Sequence, residues 1–136
     1  MYLQPGVYRL ALAAALFLIA ACSWVDGYSS TAHQQLLMLE QLHLQFISDA
    51  AAAPLDQRLL SYEDRQIRPL FSLALSDSDA LRQSNLHVLE KNYLRLYRRV
   101  VPQERALTPF EAGILAQQTE KLYQQAINGE QQRSGR

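Results

Sequence analysis

Four stretches of this chain repeat their apolar residues with the period of a helix. The clearest lies between residues 80 and 101. There Leu86, Leu89, Tyr93, Leu96 and Val100 follow one another at alternating spacings of three and four, the a/d seam of a helix that buries one narrow face. Ser76-Asp77-Ser78-Asp79 reads as the turn and helix start before it, and Pro102 stops it. A second stretch begins after Ser29, Ser30 or Thr31 and runs to about Asp49 or Ala50. Its Leu36, Leu39, Leu42, Leu44, Phe46 and Ile47 span an arc broad enough to meet two neighbouring helices.

The third stretch is expected to open with Pro54 as its first helical residue and Asp56 near the positive helix end. Leu55, Leu59, Tyr62 and Gln66 recur along one side of it, and Leu60, Ile67 and Phe71 form another stripe. Pro69 predicts a kink or break, because proline lacks the N–H and disfavours helix at the residue before it, with Leu70 to Leu75 continuing as helix or as a packed connector. The last stretch has the strongest punctuation. Thr108-Pro109-Phe110-Glu111 is a capping box with proline at the first helical position. Ala112, Leu115, Thr119, Leu122, Tyr123 and Ala126 form its inner face, and Gly129 predicts a left-handed end after Asn128. Together these stretches predict an all-α fold, a small antiparallel bundle of about four helices over residues 31–129, with 130–136 as a frayed polar tail.

Glycine usage supports that class. Between Gly27 and Gly129 the only glycine is Gly113. Phosphate-binding loops, type I′ hairpins and nucleophile elbows need residues free to adopt positive φ, so nucleotide folds, hydrolase folds and hairpin-rich sheets are disfavoured. Gln and Leu are abundant while β-branched runs are scarce, which again suits helices.

The N-terminus follows other rules. Arg9 precedes an uncharged run, Leu10 to Cys22, of thirteen residues. A membrane-spanning helix needs about twenty, so this run fits the apolar part of a secretory signal. It closes on Ile19-Ala20-Ala21-Cys22, which resembles the lipobox of bacterial lipoproteins: a branched apolar residue, two small ones, then cysteine. The resemblance implies cleavage after Ala21, a diacylglyceryl group on Cys22 Sγ, and a further acyl chain such as palmitate on the new amine. Several chains together hold a protein at a membrane where one holds only marginally. Ser23 in place of Asp resembles the residue that releases such proteins to the outer membrane. Residues 1–21 are thus the expected signal peptide and 22–30 a short lipidated tether, whose Trp24 and Tyr28 would rest at the headgroups or on the domain.

Without residues 1–21 the chain keeps 115 residues and a net charge near −1, because only Arg9 is lost from thirteen basic and thirteen acidic side chains. That balance gives no support for nucleic-acid binding. Cys22 is the only cysteine, so no disulfide is available and stability must come from packing.

Catalytic and metal-binding patterns are missing. His33 and His43 stand ten residues apart on one helix, about 15 Å along its axis, too far to share an ion. His43 falls within the apolar arc and reads as a hydrogen-bonded core residue. Asp77, Asp79, Asn85 and Glu90 do not match a calcium loop, since Ser84 stands where that loop needs glycine. No metal, cofactor or enzymatic role is expected. One surface feature remains: Lys91, Arg95, Arg98 and Arg99 project away from the a/d seam as a basic stripe. A solvated face with local partners such as Glu90 explains it most simply; an anionic partner is the alternative.

The expected function is therefore that of a membrane-anchored, non-enzymatic interaction or assembly module, held through Cys22 and engaging another envelope protein. Two alternatives share this layout. In size and layout the chain resembles pilotins, lipoproteins that escort secretin subunits to the outer membrane. An envelope-integrity protein would instead touch peptidoglycan or lipopolysaccharide through the basic face.

Overall fold

The computed structural model describes residues 27–133. The signal, Cys22 and most of the tether lie outside the described residues. Four helices follow one another: α1 (Ser30–Ala50), α2 (Gln57–Ser76), α3 (Ala80–Val100) and α4 (Pro109–Gln132). Each packs against the next and α4 closes on α1, so the order around the bundle is the order along the chain. The all-α bundle expected from the pattern is what forms.

Side-chain caps start every helix. Ser29 Oγ accepts from the Ala32 N–H, Asp56 from Leu59, Asp79 from Arg82 and Thr108 from Glu111. Each satisfies one of the first-turn donors that a helix cannot pair internally. Thr108 and Glu111 complete the reciprocal capping box. At α2 the cap displaces the expected start by three residues. Asp56 takes the N-cap and Pro54 stays in the preceding bend, because a carboxylate accepting an N–H stabilises a helix start more than proline does.

The α3 seam is buried as its spacing requires: Leu86, Leu89, Tyr93, Leu96 and Val100 all enter the core. Tyr93 lies at the centre. The rings of His43 and Phe46 meet it edge-on at 5.5 and 5.3 Å, and Phe71 lies tilted at 6.3 Å. Its hydroxyl donates to Asp64 Oδ1 at 2.5 Å. Asp64 also accepts from Arg68 Nε at 2.7 Å, and the Arg68 guanidinium covers the Tyr97 ring at 4.6 Å. A polar atom at the core's centre is thus led to the surface through a charge-assisted chain. On α1 the broad arc does face two helices, α2 and α4. Of the two stripes on α2, Leu60, Ile67 and Phe71 are buried, whereas Leu59 and Tyr62 stay exposed.

Two expectations need correcting. Pro69 neither breaks nor ends α2, which is continuous from Gln57 to Ser76. Its ring sits on the exposed side, while Ile67, Phe71 and Ala74 bury the opposite face on both sides of it. Packing outweighs the lost hydrogen bond. Gly129 is not a left-handed terminator either: α4 runs through it to Gln132, and no described glycine has positive φ. Glu130 and Arg133, assigned to a frayed tail, are buried.

The reason lies in a lattice of four charges at one end of the bundle. Arg82 on α3 donates to both Glu130 oxygens, at 2.8 and 2.6 Å, and to Gly27 O at 2.6 Å. Glu130 Oε1 also accepts from the Ser29 N–H at 2.8 Å. Arg133 grips Asp79 with two bonds, at 2.6 and 3.1 Å. These tertiary contacts hold the last turn of α4 helical past its glycine. At the opposite end Leu107 is buried and its N–H donates to Ala50 O at 2.8 Å, tying the α3–α4 connection to the end of α1.

Both corrections are measurable by chemical denaturation. A Cβ at Gly129 meets nothing within 4 Å. Gly129→Ala is expected to stabilise the fold by about 0.5–1 kcal/mol, whereas a left-handed residue there would make it destabilising. Pro69→Ala restores an N–H inside an unbroken helix and is expected to raise stability by about 1–3 kcal/mol. A loss of stability would mean that the ring is required where it stands.

Candidate interaction groove

The bundle is not packed evenly. α1 rests broadly on α4 and α2, whereas α3 touches α2 and α4 more sparingly. The shortfall shows as open space along the seam between α3 and α4. One crevice of about 110 Å³ is lined by Asn92, Arg95, Leu96 and Arg99 of α3 and by Leu115, Gln118 and Thr119 of α4, with His43 and Ile47 of α1 beneath. A shallower depression of about 350 Å³ continues from Asn92 and Gln118 past Lys121 and Leu122 to Gln125. Beyond it, a pocket of about 40 Å³ lies beside the charge lattice, lined by Leu81, Asn85, Ala126 and Gly129 among others.

Helical spacing makes the two rims. Val88, Asn92, Arg95 and Arg99 fall at i, i+4, i+7 and i+11 along one edge of α3. Ile114, Gln118, Lys121 and Gln125 repeat the same spacing on α4. Val88 and Ile114 are exposed, as are Arg95 and Lys121. Among the described residues neither Arg95 nor Lys121 has a carboxylate partner, and none lines the two larger crevices. Arg99 pairs with Glu111 at the far end of the seam.

The basic stripe is therefore divided by the structure. Arg95 and Arg99 border the seam. Lys91 and Arg98 lie further round the helix on its open outer face, line neither crevice, and the Arg98 Nε–H caps the Leu94 carbonyl at 3.3 Å. Sequence reasoning missed Lys121, Gln118 and Gln125, because a groove formed between two helices leaves no signature in either one alone. Cys22 lies outside the described residues. Tyr28 packs on the first turn of α1, its ring edge-on to His33 and its hydroxyl 2.9 Å from His33 Nδ1.

The buried titratable groups are structural in their surroundings. His43 bonds Tyr123 Oη through Nδ1 at 3.1 Å, and burial lowers its value to about 4, so the ring is neutral near pH 7. Burial raises Glu63 to about 8, with the neighbouring Asp49 carboxylate adding to the effect. Its Oε2 has no hydrogen-bond partner among the described residues. Asp79 is held well below the usual carboxylate range, first by its bonds from Arg133. For Glu130 burial acts upward, but the Arg82 bonds and the Ser29 N–H outweigh it and lower the value. Among the described residues no group of three or more His, Cys, Asp or Glu is placed to hold a metal ion, and no helix is long and apolar enough to cross a membrane. Comparison with protein-family models, with curated proteins and with solved structures finds no match to this chain.

Glu63 sets one pH dependence. Its folded-state value lies above the ordinary 4.5, so its contribution to stability is fully present below about pH 4.5 and is lost as pH rises to about 8. Asp79 and Glu130 are shifted the other way, and their contribution is lost as pH falls through the acid range. Glu63→Gln, which is neutral at every pH, is expected to flatten the decline between these two values in thermal melts and leave the acid limb in place. An unchanged alkaline limb would show that Glu63 is ionised in the fold.

Proposed function

We propose that this chain is a lipid-anchored protein of the bacterial envelope that receives a partner protein in the α3–α4 seam and performs no chemistry of its own. The observation that carries the reading is the seam itself. It is an elongated, underfilled groove with a largely apolar floor and cationic and amide rims, on a domain where the buried His43, Tyr93 and Tyr123 are held in structural bonds. The lipobox-like Ile19-Ala20-Ala21-Cys22 supports the location, and Ser23 supports the outer membrane, facing the periplasm. A concave floor of Leu96, Leu115 and Leu122 favours a protein segment over a glycan strand as the ligand.

Two measurements test the two halves separately. Cys22→Ala is expected to block acylation and leave an unprocessed or mislocalised precursor; normal cleavage and membrane partition would remove the anchor from the proposal. A photo-crosslinking residue at Gln118 is expected to capture an envelope protein in intact cells, with the same residue at Tyr62 on the exposed side of α2 as the comparison. Capture at Tyr62 alone would move the binding surface to α2.

A further inference from the structure

We infer that the occupant of the α3–α4 seam is an acidic amphipathic helix presented by the partner protein. The inference rests on reading the seam as a partner-binding surface and adds the chemistry of what enters it. Three features fix that chemistry.

The first is charge. Arg95 on one rim and Lys121 on the other face the open groove without a carboxylate partner among the described residues, whereas Arg99, at the end of the seam, is already paired with Glu111. No acidic side chain lines the two larger crevices to neutralise them. A ligand carrying carboxylates on both flanks meets complementary charge on both rims, and a basic one is repelled from both.

The second is the floor. Leu96, Leu115 and Leu122 run along it, with Ile47 and His43 below and Thr119 as its one hydroxyl. This largely apolar strip between polar rims takes a ligand with one apolar stripe and polar flanks, the pattern of an amphipathic helix.

The third is backbone accounting. Both walls are helices whose own N–H and C=O groups are used internally, so the seam has no sheet edge to pair with an extended strand. A helix satisfies its own backbone and asks only for side-chain contacts. From Leu115 to Gln125 the seam is about 15 Å long, which matches a helix of about ten residues. The amides of Asn92, Gln118 and Gln125 then supply donors and acceptors along the rims. A membrane surface fits less well, because a flat bilayer does not reach the floor of a groove between two helices.

The test uses the full-length protein in detergent micelles and a fluorescent synthetic helix of about 18 residues, with leucines on one face and glutamates on both flanks. Matched peptides carry lysine for each glutamate, or a central proline that breaks the helix. Fluorescence anisotropy is expected to show the acidic helix binding at least about tenfold more tightly than either control, and weakening as salt rises from about 50 to about 500 mM. The double variant Arg95→Glu with Lys121→Glu is expected to lose about tenfold or more in affinity. The pair Arg58→Glu with Arg65→Glu makes the same charge change on the exposed side of α2, away from Arg95 and Lys121, and is expected to stay within about twofold. Circular dichroism confirms that both variants fold.

Equal binding of acidic and basic peptides, equal loss in the two double variants, or full binding by the proline-broken peptide would each overturn the inference. So would stronger binding to phosphatidylglycerol vesicles than to the peptide, if the Arg95 and Lys121 reversals abolish it. Gln118 crosslinks that persist in cells while the acidic peptide fails would overturn the helix assignment and leave the seam as a binding surface.

Discussion

The lattice of Arg82, Glu130, Asp79 and Arg133 is the constraint on which one end of the fold depends. It joins three parts of the chain that are distant in sequence: the segment entering α1, the first turn of α3 and the last turn of α4. All four side chains are largely out of solvent. Taking such charges from water is costly, and the cost is offset only where nearly every donor and acceptor is matched. Here the matching is dense. Glu130 receives bonds from Arg82 and from the Ser29 amide, and Asp79 caps α3 while accepting both arms of Arg133. Loss of a single member would leave its partner charged and buried, a penalty of about 3–5 kcal/mol. The lattice therefore specifies geometry more than it adds net stability, and it keeps α4 helical beyond the point where its own sequence would release it.

Most of the fold could be read from the chain because most of it is local. The α3 seam, the Thr108–Glu111 box and the buried role of His43 follow from spacing and capping chemistry that act within a turn or two. The misreadings share a different origin. Pro69 and Gly129 carry strong local preferences, and each was overridden by contacts made far along the chain: by core packing on the buried face of α2, and by Arg82 acting on Glu130 across 48 residues of sequence. Likewise Leu59 and Tyr62 resemble core residues in their periodicity. Which of the two α2 stripes is buried depends on the placement of α1 and α3, and periodicity carries no such information.

The candidate groove was legible only in half. Arg95 and Arg99 stand out within α3 as part of a basic stripe, but the stripe does not say which of its members border a cavity. That depends on how closely α4 approaches, and α4's contribution consists of ordinary surface residues: Gln118, Lys121 and Gln125. The unevenness of packing is the deeper point. α1 buries two sides, and its contacts with α2 and α4 form the solid part of the bundle. α3 is pinned at its start by the lattice and at its middle by Tyr93, yet along its α4-facing edge it is left partly unfilled.

Because Arg82 holds Gly27 and Glu130 holds Ser29, the rigid body begins almost at the first described residue. If Cys22 carries the proposed anchor, its distance from Gly27 is at most about 17 Å, the extended length of the intervening chain. A span that short would restrict the attitude of the bundle as well as its location. The end of the bundle that carries the lattice would sit against the bilayer, and the loops at Pro54 and Pro102 would stand away from it. The α3–α4 seam would then rise from the surface like a vertical slot, open to segments approaching from the side and sheltered at its base.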